Sequence, residues 1–116
     1  MLPKVLIVED GRGYQAHWST RLRGKVEILS AYTIREAETL FFSSVDITAI
    51  VMDACVPGES PTTPPLVQKM RETFFGPIIA ASSSEYYRQE LMDAGCDHEC
   101  TKTEVPQKIM EILNLS

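Results

Sequence analysis

The chain has no cluster of basic residues, and its 116 residues carry a formal net charge of -5. That argues against nucleic acid or a membrane surface as its main partner, because both are recognised through basic patches. It also lacks any segment near the roughly 18 consecutive apolar residues that cross a bilayer. The opening MLPKVLIVED runs straight into a strand pattern instead of toward a signal-peptide cleavage site, so the sequence reads as cytoplasmic. Cysteine is scarce. Cys55, Cys96 and Cys100 are odd in number and have no framework spacing, which suits free thiols in a reducing compartment. There is no linker, repeat or low-complexity tract, and the length is that of one domain able to bury a core without staples. One domain over residues 1–116, with no attached effector domain, is the expectation.

What is present is an alternation of short apolar runs with helical periodicity, the pattern of an α/β domain around a parallel sheet. Strands are expected at 4–9, 26–30, 48–53, 77–82 and 97–101, and helices at 12–23, 34–43, 65–75, 85–94 and 104–114. Thr33 followed by Glu36 forms a capping-box pattern, and Pro65 suits a first helical turn. VLIV, AIVM and IIAA are continuous apolar runs and belong in the centre of the sheet. VEILS and DHECT are more polar and belong at its edges. The expected architecture is a flavodoxin-like three-layer sandwich, with a five-stranded parallel sheet in order 2-1-3-4-5 and helices on both faces.

In such sheets, sites form beyond the C-terminal strand ends, and strands one and three flank the switch point. The stretch IVMDACVPG, residues 50–58, places Asp53 there, although Pro57 and Gly58 already supply the turn that ends the strand. Other strand ends carry Glu9-Asp10 and Ser82-Ser83, and Lys102 follows the fifth strand. Crowded carboxylates with room for water suit Mg²⁺, and a lysine opposite suits a phosphate. Each residue also has a plainer use: Glu9-Asp10 as a solvated strand end, Ser82 as a helix N-cap, Lys102 as surface. The run Cys96-x-His98-x-Cys100 puts three soft ligands on one strand face, but without zinc spacing or a fourth partner it is not read as a metal site.

Four motifs in order resemble the receiver domain of bacterial two-component response regulators over essentially the whole chain: the acidic pair of VLIVED, DACVPG with proline four residues after the aspartate, PIIAAS, and AGCDHECTK. The resemblance implies that Asp53 accepts a phosphoryl group from a histidine kinase, a histidine phosphotransfer protein or a small donor. It implies Mg²⁺ bound by Asp10, Asp53 and the backbone carbonyl of Cys55, with Glu9 acting mainly through water. Ser82 would bond the phosphoryl group and Lys102 pair with it, and a downstream protein effector would read the changed surface. Such a protein is a monomer or weak dimer and no enzyme beyond its own phosphorylation and dephosphorylation. Two alternatives are a pseudo-receiver interaction module that works without phosphorylation and a phosphatase of the haloacid dehalogenase type. The latter needs an aspartate where Cys55 stands.

The chain also departs from the receiver pattern. Gly11 and Gly13 weaken a short first connection, so the first helix should be short or start late. The loop GESPTTPP is longer than usual. Glu99 occupies the usual aromatic switch position, and Thr103 follows Lys102 where proline is typical. The Lys102–Thr103 peptide is expected to be trans on energetic grounds, although receivers commonly have cis there.

Overall fold

A computed structural model describes residues 1–58 and 60–115. Five strands alternate with five helices: β1 Lys4–Val8, α1 Arg12–Leu22, β2 Glu27–Ala31, α2 Ile34–Ser43, β3 Ile47–Asp53, α3 Pro64–Arg71, β4 Ile78–Ala81, α4 Glu85–Ala94, β5 His98–Cys100 and α5 Val105–Ile112, the last preceded by a 3₁₀ turn at Lys102–Glu104. All neighbouring strands pair in parallel, in the order β2-β1-β3-β4-β5. The polar strands are at the edges, as expected. Among the described residues no helix is long and apolar enough to cross a membrane.

Strand alternation divides the core between the two faces of the sheet. Leu6, Val8, Ile50, Met52, Ile78 and Ala80 pack with Ala37, Leu66, Val67, Met70 and Leu91 of α2, α3 and α4. Val5, Ile7, Ala49, Val51, Ile79 and Ala81 pack with Trp18, Leu22, Val105 and Ile109 of α1 and α5. Cys96 belongs to the first cluster and Cys100 to the second, so the expected single-face alignment of Cys96, His98 and Cys100 does not occur. All three cysteines are free and buried.

The expectation of a short or late first helix is overturned. α1 begins at Arg12 and has 11 residues, even though Gly11 at its N-cap offers no side-chain bond. Tertiary packing outweighs the glycine penalty of about 1 kcal/mol: Gln15, Trp18 and Leu22 recur at helical spacing on the buried side, and Gly13 lies on the exposed side. α3 ends at Arg71, short of the expected residue 75. Gly76-Pro77 disfavours continued helix, and Phe74 packs edge-on against Phe41, with ring centroids 6.2 Å apart.

Candidate functional site

The same alternation that divides the core builds the site. Continuing the odd series Val5, Ile7 and Ala49, Val51 brings Glu9 and Asp53 to the α1/α5 side of the rim. Continuing the even series Ile78, Ala80 brings Ser82 to the α4 side. Glu9 and Ser82 still follow the sheet ladder, since Glu9 N donates to Ala31 O at 3.0 Å and Ser82 N to Cys100 O at 3.3 Å.

Glu9, Asp10 and Asp53 each bring a carboxylate oxygen within 4.8 Å of the others. Glu9 is 1% exposed and Asp53 4%, so their charges are poorly solvated. Lys102 Nζ reaches Glu9 Oε1 at 3.0 Å and Asp53 Oδ1 at 3.5 Å. The second Glu9 oxygen accepts the Gly11 N–H at 2.9 Å, and Asp10 Oδ2 accepts the Gly58 N–H at 3.1 Å. Gly58 has φ +88°, a conformation that costs glycine little and lets its amide face Asp10.

With all three ionised, the carboxylates exceed the one ammonium by two negative charges. Burial pushes the Asp53 carboxyl up to about 7; the Glu9 charge adds to this, Lys102 and the Cys55 N–H oppose it, and Asp10 raises it further. Burial works against the charged form of Lys102, but its hydrogen bond to Glu9 and the charges of Asp53 and Glu9 outweigh that and raise its value. Hard oxygen donors around an uncompensated double charge fit a hydrated divalent cation.

Behind Asp53 the loop is tied to its own strand. Thr63 is fully buried, and its Oγ1 donates to Asp53 O at 2.7 Å and to Ala54 O at 3.0 Å. Thr62 Oγ1 accepts the Val56 N–H at 3.0 Å and lies 2.9 Å from Val56 O. The GESPTTPP loop is thus tied down at Thr62 and Thr63, while its Glu59 lies outside the described residues. Cys55 is 8% exposed; burial and the neighbouring Asp53 raise its thiol and keep it protonated. A haloacid-dehalogenase acid at that place therefore has no counterpart.

The structure corrects two plainer readings. Ser84 caps α4, its side chain accepting the Tyr87 N–H at 3.2 Å, while Ser82 Oγ accepts the Ser84 N–H at 3.1 Å and belongs to the rim. In the pattern Thr33/Glu36, Thr33 does accept the Glu36 N–H, but the Glu36 carboxylate bonds the Tyr32 N–H, one residue before the cap. The Lys102–Thr103 peptide is trans, and the one cis peptide among the described residues is Val56–Pro57.

Sequence reasoning missed several supporting residues. Gln15, 1% exposed, donates to the carbonyls of Ile7, Glu9 and Ala31 and ties α1 to the ends of β1 and β2. A polar residue on the buried stripe with Trp18 and Leu22 was the available signal. Arg88 was also missed: its Nη1 donates to Ser82 O at 2.8 Å and its Nε to Glu99 at 2.9 Å. No local pattern links residue 82 to 99 except sheet order.

No protein-family model matches the chain, and no curated protein sequence does. Solved structures do match. A CheY-like response regulator receiver domain protein from Methanospirillum hungatei JF-1 is 20% identical over 98% of this chain and 95% of its own, with a TM-score of 0.80. Chemotaxis protein CheY4 of Vibrio cholerae is 23% identical over 98% of both chains, also at 0.80. A response regulator from Burkholderia pseudomallei, solved with a phosphorylated aspartic acid, a calcium ion and citrate, is 17% identical over 96% of this chain and 66% of its own, at 0.79. The fold is therefore that of the response regulator receiver domain. Among the described residues it has the five strands and five helices of the CheY-like fold.

Proposed function

We propose that this protein is a phosphoacceptor receiver, in which Asp53 takes a phosphoryl group from a histidine kinase, a histidine phosphotransfer protein or a small acyl phosphate. The observation that carries the reading is the convergence of Glu9, Asp10 and Asp53 within 4.8 Å, with Lys102 bridging Glu9 and Asp53. Asp10 and Asp53 would ligate Mg²⁺ together with the Cys55 carbonyl, and Glu9 would act beside them. When bound, the cation would neutralise the phosphoryl oxygens and lower the proton affinity of Asp53.

An Asp53 oxygen attacks phosphorus, and the donor's P–O or P–N bond breaks with its electron pair leaving on the donor. Lys102 is placed to pair with an equatorial phosphoryl oxygen, and the Ser82 hydroxyl would donate to another. Phosphoryl transfer asks for this in-line positioning and charge neutralisation more than for covalent chemistry. A downstream protein would then read the altered surface.

Acetyl phosphate with Mg²⁺ is expected to add the mass of one phosphoryl group, and Asp53→Ala to remove that gain, both read by intact-mass spectrometry. A label surviving in Asp53→Ala would reassign the acceptor. A second reading, an interaction module independent of phosphorylation, draws support from Glu99, which is held by Arg88 where receivers carry an aromatic switch. Absence of label in wild type with every donor class would decide for it.

A further inference from the structure

We propose that Tyr14 and Trp18, one helical turn apart on α1, form an aromatic clamp that positions Lys102 for the phosphoryl group, a role that rests on the phosphoacceptor reading of Asp53. Lys102 is gripped at both ends. Its ammonium lies 4.7 Å from the centroid of the Tyr14 ring, and its backbone carbonyl accepts the Trp18 indole N–H at 3.0 Å. The two rings pack on each other with centroids 5.5 Å apart. The base of the clamp is thereby fixed to the core, since Trp18 is 1% exposed.

The clamp answers a need created by the sequence. Thr103 follows Lys102 where receivers carry proline, so no ring stiffens the backbone after the lysine. The chain holds this turn by other means. Thr101 and Glu104 are tied reciprocally: the Thr101 N–H and hydroxyl both donate to Glu104 Oε1, at 2.9 and 2.8 Å, and the Thr101 carbonyl accepts the Glu104 N–H at 3.1 Å. That tie sets the start of the turn, and Trp18 fixes the next carbonyl. The long side chain would still have several rotamers. A ring face beside the ammonium narrows them, and an ammonium over an aromatic face is attracted by the ring quadrupole.

Gly11 is part of the same device. A Cβ there would meet Tyr14 Cδ2 at 3.0 Å and Glu9 Oε2 at 3.1 Å. The absent side chain lets the ring and the Glu9 carboxylate approach Lys102 from two directions. Tyr14 is 44% exposed, so its ring is held by these contacts more than by burial in the core. Both aromatics act through their contacts with Lys102, so both are positioning residues.

The test compares Tyr14→Phe, which keeps the ring face, with Tyr14→Leu, which keeps bulk and loses it. In Tyr14→Leu the ring-current shift of the Lys102 ε-methylene, read by heteronuclear NMR, should disappear. Phosphoryl uptake from acetyl phosphate should slow about two- to fivefold. Tyr14→Phe should keep both at wild-type values. Mg²⁺ affinity should stay within about twofold of wild type in both variants, because the ligating carboxylates come from other elements; a merely structural defect would weaken it too. An unchanged ε-methylene shift or a wild-type rate in Tyr14→Leu would overturn the clamp, as would an equal loss in Tyr14→Phe. If wild type itself takes no label, the phosphoacceptor reading falls, and the ring-current measurement alone decides whether the clamp holds Lys102.

Discussion

On the α1 side of the rim each charged group meets a buried or backbone-fixed partner, whereas on the α4 side the contacts run outward to solvent. Glu9 is engaged at both oxygens, and Lys102 is held by two carboxylates, a ring face and an indole. Across the rim, the Ser82 carbonyl is held by Arg88, which pairs in turn with a Glu99 side chain that is 42% exposed. Arg88 is itself mostly covered, but an ion pair whose other partner is this exposed contributes little and is readily exchanged. The tight half suits fixed chemistry. The loose half is where a two-state rearrangement of the Ser82–Ser84 loop and α4 can be driven at small cost.

The largest effect that would sharpen this contrast is on pH. The Asp53 carboxyl has a value of 3.8 when free and about 7 when folded, so the folded state holds a proton that the unfolded chain gives up. The stability it contributes is whole below pH 3.8 and is lost at up to about 1.4 kcal/mol per pH unit as pH rises through about 7. Metal-free protein should melt lower at pH 8 than at pH 5 for this reason, and Mg²⁺ should recover the difference. Melting temperatures in chelator that are flat over this range would remove the buried-carboxylate strain from the α1 side.

Next in size is Lys102→Met, which strips the buried Glu9 carboxylate of its cation. A loss of about 3 kcal/mol is expected in chelator, with tighter Mg²⁺ binding because a repelling charge is gone. Weaker Mg²⁺ binding in urea-melt and titration experiments would contradict that electrostatic account.

On the α4 side the effects should be smaller. Arg88→Ala should cost about 1.5 kcal/mol, the value of a hydrogen bond from a charged donor. It should also speed amide exchange across residues 82–95 in the unphosphorylated protein. Protection identical to wild type would mean that Arg88 does not restrain the loop. Smallest is the lifetime of the phosphorylated state. If Asp53 is phosphorylated as proposed, Cys55 and Ser84, two residues after Asp53 and Ser82, are the side chains expected to meet the hydrolytic water, and a protonated thiol and a short hydroxyl would orient it poorly. Cys55→Asn with Ser84→Asp, which keeps the α4 cap, should shorten the lifetime about threefold. An unchanged decay by mass spectrometry would assign the lifetime to loop closure instead.

Much of this was legible in the sequence because the determinants are local. The polar edge strands and apolar central ones gave the strand order, and Glu9, Asp10, Asp53, Ser82 and Lys102 could be placed at strand ends from short motifs. The observed α2 and α4 coincide with the expected 34–43 and 85–94. The failures lie where distant segments decide. α1 persists through Gly13 because Trp18 and Leu22 pack under β1 and β3, and α3 stops early because Phe74 turns toward Phe41 of α2. The Cys96/His98/Cys100 alignment assumed a longer β5 than the three residues that form. Tyr14 acts on Lys102 at the other end of the chain, which no periodicity reports; Arg88 acts through sheet order, and only Gln15 left a trace, as a polar residue on a buried helical stripe.

The Trp18–Lys102 hydrogen bond spans 84 residues of the 116, and this bears on when the protein becomes competent. Loop-closure entropy must be met before such a contact forms, so pairings of high contact order come late on a folding route. A chain still emerging from the ribosome can present the β1 and β3 carboxylates without the lysine or its clamp. Only delivery of β5 and the turn after it completes the rim, so the phosphorylation competence proposed above should appear with the final folding step and be lost first when the C-terminal segment frays.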